Sequence, residues 1–91
     1  MTIHHKKNKP GYHITKIQKG VLGQSSKIKE EIEELIDAEI QGAKVMAILE
    51  LSDMLGAIQA YIENQKLGVS FKDLMIMAHI TKRAFKNGHR K

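Results

Sequence analysis

Between Lys44 and Glu63, the only charged residues are two acids, Glu50 and Asp53. Apolar side chains cover every direction around a helix built from this segment, which is the pattern of a helix buried on all sides. Two carboxylates three residues apart share one helical face and repel each other, and burial of an unpaired charge is costly. We therefore expect both acids to be at least partly buried and to need cations or protons.

The remaining pattern predicts an all-α chain with three helices. Ser25 or Ser26 can cap the first helix by accepting hydrogen bonds from free backbone N–H groups. Gly68 is placed to end the second helix through left-handed backbone, and Ser70 with Asp73 has the spacing of a capping box for the third. The predicted helices run from Ser25 or Ser26 to about Gln41, from about Ala43 to Lys66, and from Ser70 to about Lys86.

The connection between the first two helices is very short, at Gly42, and this predicts an antiparallel helical hairpin. Residues 1–24 have no sustained period, so we expect an extended or partly disordered N-terminal arm that docks on a single domain formed by residues 25–91. A chain of 91 residues hides a small share of its surface. Homo-oligomerisation, into a homodimer or homotetramer, is therefore expected to complete a helical bundle.

The chain has no cysteine, which excludes disulfides and thiolate metal sites. The N-terminal residues carry charges throughout and lack the apolar core of a secretory signal, and the longest apolar stretch contains two acids. We expect a cytoplasmic protein with no membrane partner. The net charge of +5 comes from lysines and arginines near both ends, which suits an anionic partner: nucleic acid or a nucleotide with several phosphates.

The first helix is rich in acids, and on composition alone this is an ordinary solvated face. Glu31 is less ordinary, because it lies three residues after Ile28 and four before Leu35, at the edge of the predicted buried face. Glu34 is one turn further along. The apolar line of that face is formed by Ile28, Ile32, Leu35 and Ile36.

An antiparallel hairpin can bring Glu31 and Glu34 opposite Glu50 and Asp53. Four carboxylates without histidine or cysteine favour Mg²⁺ or Mn²⁺ over zinc, and magnesium commonly joins carboxylates to substrate phosphates. A lysine or arginine from the third helix or the arm, in an internal salt bridge, is the alternative way to neutralise these acids.

Two motifs carry a family resemblance. Glu30-Glu31-Ile32-Glu33-Glu34 fits a Glu-Glu-x-x-Glu motif, and Glu50-Leu51-Ser52-Asp53 fits a Glu-x-x-Asp motif. In this order on consecutive helices, they resemble the all-α nucleoside triphosphate pyrophosphohydrolases, which include MazG and the dimeric dUTPases. The resemblance covers roughly residues 19–66. In detail, this stretch looks like small MazG-like proteins encoded by phages and bacteria. If the protein is encoded by a phage, the expected location is the cytoplasm of the host.

The resemblance implies that Glu31, Glu34, Glu50 and Asp53 ligate Mg²⁺, and that Glu30 orients or activates the attacking water. The implied substrate is a nucleoside triphosphate, and the products are a nucleoside monophosphate and pyrophosphate. Larger members have a helix ahead of the first motif, where this chain has the arm. A neighbouring subunit is then expected to complete the base pocket.

Cations and histidines outside these motifs have weaker assignments. Four basic residues are candidates for phosphate contacts, with a solvated basic surface as the alternative; they are Lys27, Arg83, Lys86 and Arg90. Five histidines lack a shared metal-ligand spacing and are predicted to lie outside the metal site; they are His4, His5, His13, His79 and His89. The competing function is a non-enzymatic basic helical module that binds nucleic acid or a protein partner.

Overall fold

The computed structural model describes residues 13–88, and within them the protein consists of three α-helices and no strand. The predicted all-α class and the three predicted helices are confirmed. Each observed helix end lies within about one residue of its predicted position. The helices are α1 (Ser25–Gln41), α2 (Lys44–Gln65) and α3 (Phe71–Lys86).

A two-residue turn joins α1 and α2 into a hairpin. Gly42 has a φ of 68°, in the left-handed region that glycine adopts without a Cβ clash. Its N–H donates to the carbonyl oxygen of Glu39 at 3.0 Å, and the N–H of Ala43 donates to that of Ala38 at 3.0 Å. Because the turn is so short, the two helices run antiparallel and pack against each other.

The capping residues, unlike the helix bounds, differ from the prediction at two helix ends. The N-cap of α1 is Gln24, which makes no side-chain capping hydrogen bond. Ser26 does not cap the helix, because its hydroxyl accepts a hydrogen bond from the backbone of the preceding arm. The left-handed residue that ends α2 is Lys66, with a φ of 53°, two residues before Gly68. The predicted capping box at the start of α3 is confirmed.

The buried side of α1 is acidic. The apolar line predicted to be buried is only partly covered, since Ile32 is 42% exposed and Ile36 is 48% exposed, while Ile28 and Leu35 are half-buried. That prediction is wrong for the single chain, because α2 and the arm together cover the acidic side of α1. The buried residues of α1 are Glu30, Glu31, Glu34, Asp37 and Ala38.

α2 is not buried on all sides in the single chain, contrary to the prediction. Its buried residues are Glu50, Ala57 and Ile62, and α3 has no buried residue. Within residues 13–88, α1 is the helix that packs against α2, and one neighbour covers only one side of a helix. On the opposite side Ile48 is 65% exposed and Leu55 is 45% exposed. A large apolar surface is therefore left uncovered.

α2 is long and apolar enough, by length and composition alone, to cross a membrane. Its best window has a mean hydropathy of 1.4, and 17% of that window is buried. The central helix of a bundle has the same composition. Glu50 and Asp53 lie inside α2, and carboxylates are costly in the hydrocarbon region of a bilayer. The two acids therefore weigh against a membrane span.

The arm residues 13–24 form an irregular segment that runs back along α1. Near the start of the segment the N–H of Ile14 donates to a carboxylate oxygen of Asp37 at 2.9 Å. Further on, the N–H of Gly20 donates to Glu30 at 2.8 Å. Early arm residues thus pair with late residues of α1, so the segment is antiparallel to the helix. Residues 1–12 of the predicted arm, and 89–91 at the other end, lie outside the described residues.

Gly20→Ala is expected to loosen the arm and lower the free energy of unfolding. A Cβ at Gly20 would overlap the backbone carbonyl of Ser26, in the first turn of α1. Displacement of the arm would break the hydrogen bond from Gly20 to the Glu30 carboxylate, and a hydrogen bond to a charged group contributes about 1.5–3 kcal/mol. Urea unfolding followed by circular dichroism measures the change.

Gly56→Ala is the matched control for this substitution. A Cβ at Gly56 meets no atom within 4 Å, and alanine in a helix interior is favoured over glycine by about 0.5–1 kcal/mol. This variant is expected to be as stable as the wild type or slightly more stable. Equal stability of the two variants would contradict the role assigned to Gly20.

Candidate metal centre

The α1–α2 hairpin brings four carboxylates together. Glu31 and Glu34 lie one turn apart on α1, and Glu50 and Asp53 lie one turn apart on α2. One carboxylate oxygen from each of the four lies within 4.8 Å of those of the others. A spacing of three residues places each pair on one helical face, and the short turn sets the two faces opposite each other. The structure therefore contains the predicted convergence, and the role of these residues as metal ligands stays a prediction.

Three of the four carboxylates are buried. Glu31 and Glu50 are each 4% exposed, and Glu34 is 8% exposed. The Oε1 atoms of Glu31 and Glu50 are buried, and neither has a hydrogen-bond partner within residues 13–88. Asp53 is exposed, contrary to the expectation of partial burial, because it lies at the rim where a surface cavity opens.

Two of the buried carboxylates, Glu34 and Glu50, have raised pKa values. Burial raises the pKa of Glu34 to about 8, and the neighbouring carboxylates of Glu31 and Glu50 add to the rise. Burial also raises the pKa of Glu50. Desolvation and like-charge repulsion both disfavour the ionised form of a carboxyl group. The group therefore has a strong tendency to take up a proton or a cation.

The alternative of an internal salt bridge finds little support among the described residues. No lysine or arginine in residues 13–88 lies within salt-bridge distance of Glu50 or Asp53. Lys27 is on α1, the same helix as Glu31. Its Nζ forms ion pairs with both Oε2 of Glu31, at 3.4 Å, and Oε1 of Glu30, at 3.1 Å. Oxygen donors with unpartnered buried lone pairs fit a hard divalent cation such as Mg²⁺.

Glu30 lies outside this group and is fully engaged elsewhere. Its carboxylate accepts hydrogen bonds from the Gly20 N–H at 2.8 Å, from Lys27 Nζ at 3.1 Å and from Lys19 Nζ at 3.4 Å. The Gly20 hydrogen bond, with help from the two lysines, lowers the pKa of Glu30 to about 2. Such a carboxylate binds protons weakly. The predicted role of Glu30 in activating water does not fit these contacts, which instead fasten the arm to α1.

Asp37 is a second anchor of the arm that the sequence analysis did not identify. It accepts hydrogen bonds from the N–H groups of Ile14 and Thr15, from the Thr15 hydroxyl, and from the Gln41 amide. These donors lower its pKa against the opposing effect of burial. Through these hydrogen bonds Asp37 holds the start of the described arm against the last turns of α1.

The anchored arm places His13 beside the carboxylates. Its Nε2 lies 3.6 Å from Oε2 of Glu34 and 3.9 Å from Oε2 of Glu50. The sequence predicted that all five histidines lie outside the metal site. No spacing signal marks His13, because it lies in a segment without helical period. His79 is exposed on α3, and the other three histidines lie outside the described residues.

The basic candidates do not all gather at the carboxylates. Lys27 does, and it lines an open cavity of about 460 Å³ together with Glu31 and Asp53. Arg83 and Lys86 line a different cavity of about 360 Å³, whose walls come from α3 alone. Arg90 lies outside the described residues. In the described part of the chain, Lys27 is thus the predicted phosphate ligand that stands beside the acids.

The stabilising effect of Mg²⁺ is expected to grow with pH. The folded pKa of Glu34, about 8, exceeds the ordinary value of 4.5. The metal-free folded state therefore holds a proton that the unfolded state releases, and its stability falls as the pH rises from about 4.5 through 8. A divalent cation replaces that proton. Differential scanning fluorimetry should show a larger Mg²⁺-induced rise in Tm at pH 8.5 than at pH 6, and an equal rise would contradict this account.

The sequence was compared with known families, curated proteins and solved structures. A family model, that of phosphoribosyl-ATP pyrophosphohydrolase, matches residues 2–83. No curated protein and no solved structure matches the chain. The match spans the arm, the hairpin with its four carboxylates and most of α3. The chain belongs to the phosphoribosyl-ATP pyrophosphohydrolase family, within the MazG-like superfamily of nucleotide pyrophosphohydrolases.

Proposed function

We propose that the protein is a Mg²⁺-dependent pyrophosphohydrolase that converts a nucleoside triphosphate to a monophosphate and pyrophosphate. The observation that carries the proposal is the convergence of Glu31, Glu34, Glu50 and Asp53, in which two buried oxygens lack partners among the residues that the structure describes. Membership of a pyrophosphohydrolase family supports the class of reaction. Mn²⁺ is expected to replace Mg²⁺, because both prefer oxygen ligands.

The residues of the hairpin have distinct tasks in this proposal. Glu31, Glu34 and Glu50 would hold the cation between the helices, and Asp53 would complete the set at the cavity. Lys27 would meet a phosphate from the cavity wall. When bound there, Mg²⁺ neutralises phosphate charge and lowers the pKa of a coordinated water.

Hydrolysis breaks one phosphoanhydride bond. A water oxygen adds to phosphorus, the bridging oxygen leaves with the pyrophosphate, and the proton of the water has to be taken away. Glu30 is unsuited to accept that proton because Gly20 and two lysines engage it. Asp53 is the carboxylate of the group that is open to solvent. We assign the route of proton release to this exposed side of the site.

Two substrate classes present the same bond to this site. Nucleoside triphosphates and phosphoribosyl-ATP, which the name of the matched family contains, both carry a triphosphate. The residues around the carboxylates include small side chains along one side of α2, at Gly56, Ala57 and Ala60. They leave room beside the metal centre and contain no group that selects a base. We therefore propose that the site recognises the triphosphate of its substrate.

Pyrophosphate release from a substrate panel tests the activity. The panel contains canonical and modified nucleoside triphosphates and phosphoribosyl-ATP, each with Mg²⁺, with Mn²⁺ and with a chelator. Metal-dependent release is expected, and the ranking of rates identifies the substrate. No release from any member would overturn the enzyme proposal. Salt-sensitive binding of nucleic acid that survives the chelator would then favour the basic-module alternative.

Glu50→Gln and Asp53→Asn supply the matched test of the site within the same assay. Each substitution removes a carboxylate charge with little change of shape. Activity should fall by more than the roughly 10–100-fold loss that is typical when a residue that only hydrogen-bonds to a metal ligand is replaced. Glu39→Gln is the control, because Glu39 is exposed on α1. Helical circular dichroism should be retained in all three. Full activity in either site variant would remove that residue from the proposed metal centre.

We also propose that the protein is a homo-oligomer. Large apolar side chains are exposed on both helices of the hairpin and on α3, where no residue is buried. Such an extensive apolar surface is unfavourable in water and is characteristic of subunit interfaces. Burial of this surface between copies would provide the neighbours that α2 lacks within one chain.

Ile48→Lys is expected to weaken the assembly. Ile48 is 65% exposed on the side of α2 that faces away from α1, seven residues before Leu55 on the same side. A charge there would have to be desolvated in an interface, which is costly. Analytical ultracentrifugation should show dimers or tetramers for the wild type and a shift toward monomer for Ile48→Lys. The control is Glu39→Gln, and a monomeric wild type would contradict the proposal.

A further inference from the structure

The arm contributes a nitrogen donor to the carboxylate group. His13 Nε2 lies 3.6 Å from Oε2 of Glu34 and 3.9 Å from Oε2 of Glu50. Two ligand atoms bound about 2.1 Å from one ion are roughly 3–4.2 Å apart, depending on the angle between them. Both distances lie inside that interval, so the three side chains can share one cation with little movement.

This set overlaps the four-carboxylate set without coinciding with it. Ligand atoms of His13, Glu34 and Glu50 lie within 4.8 Å of one another, as do those of Glu31, Glu34, Glu50 and Asp53. Glu34 and Glu50 belong to both sets, and each carboxylate has two oxygens. A carboxylate shared by two neighbouring ions is the arrangement of two-metal sites, where the ions are about 3.5–4 Å apart.

The other ring nitrogen of His13 faces a fixed carboxylate. Nδ1 lies 3.6 Å from Oδ1 of Asp37, and no described residue forms a hydrogen bond with it. Asp37 is 1% exposed and holds the backbone N–H groups of the next two residues, Ile14 and Thr15. Histidines that ligate metals typically direct their second nitrogen to a carboxylate, which fixes the orientation of the ring. Asp37 occupies that position for His13.

Glu50 has a buried oxygen that is separate from the one that faces His13: Oε2 is the atom near His13, and Oε1 is the atom left without a partner among the described residues. The residue as a whole is 4% exposed. A buried carboxylate oxygen without a partner is costly and is rare in native structures. Two cations, one on either side of the Glu34–Glu50 pair, would use both oxygens of each carboxylate.

We propose that His13, Glu34 and Glu50 form a second cation position beside the four-carboxylate centre, and that Asp37 positions the His13 ring for it. An imidazole nitrogen suits transition metals such as Zn²⁺, Ni²⁺ or Fe²⁺, whereas Mg²⁺ prefers oxygen ligands. The second position therefore prefers a transition metal. The inference rests on the proposed function because the two positions share Glu34 and Glu50.

Pulsed EPR of the full-length protein loaded with Mn²⁺ tests the proposal directly. The wild type should show the ¹⁴N coupling of a coordinated imidazole and should bind two Mn²⁺ per chain. His13→Ala should lose the coupling and bind one Mn²⁺. The side chain of His13 is 31% exposed, so its removal leaves no cavity in the core, and circular dichroism verifies that the variant is folded.

Two further variants serve as controls. His79→Ala removes an exposed histidine from α3 and should keep both the ¹⁴N coupling and the two ions. Asp53→Asn should weaken the four-carboxylate position and retain the ¹⁴N coupling. Loss of the coupling in His79→Ala, or its persistence in His13→Ala, would overturn the assignment to His13. One Mn²⁺ in both the wild type and His13→Ala would overturn the second position.

The outcome separates this inference from the proposed function. If the wild type releases pyrophosphate from no substrate, the enzyme proposal is overturned, and the EPR result still decides whether His13 binds a metal ion. Metal-dependent release by the wild type, without a ¹⁴N coupling, would retain the enzyme and reject His13 as a ligand. A simple ion pair between His13 and Glu34 would give that second pattern.

Discussion

Repulsion between buried carboxylates is the constraint on which the arrangement of this protein depends. Glu31 and Glu34 of α1 face Glu50 of α2 across the helical hairpin, largely shielded from water. Like charges at this distance in a poorly solvated environment favour protonation or cation binding. Burial raises the pKa of Glu34 and of Glu50 in the metal-free protein. The hairpin interface is thus better suited to holding a cation than to holding the helices together by itself.

Acids on the same helix have opposite roles because their neighbours differ. Glu30 and Asp37 are as deeply buried as Glu31, but backbone N–H groups of the arm donate to both of them. Their pKa values are lowered, and they tie the arm to α1. In the described part of the chain, Glu31 retains an oxygen without a partner. One side of α1 therefore combines structural anchors with metal-ligand candidates, and the arm determines which acid has which role.

The apolar side chains have a different distribution from that of an ordinary small domain. The hairpin buries acids on its inner side and leaves Ile48, Leu55 and the apolar side chains of α3 open to solvent. All four carboxylates of the proposed metal centre come from α1 and α2 of one chain. Stability of the fold is then expected to depend on neighbouring copies, since the hydrophobic contribution from a single chain is small.

The sequence by itself determined the helices, the hairpin at Gly42 and the convergence of the four acids, because helical period, turn length and charge spacing are local properties. The two acidic motifs, Glu30 to Glu34 and Glu50 to Asp53, were also sufficient to predict membership of the MazG-like superfamily. The tertiary structure decided the direction of burial, the engagement of Glu30 and the position of His13. These depend on how the irregular arm crosses α1, through hydrogen bonds between residues 10 to 23 positions apart, and no local period encodes such contacts.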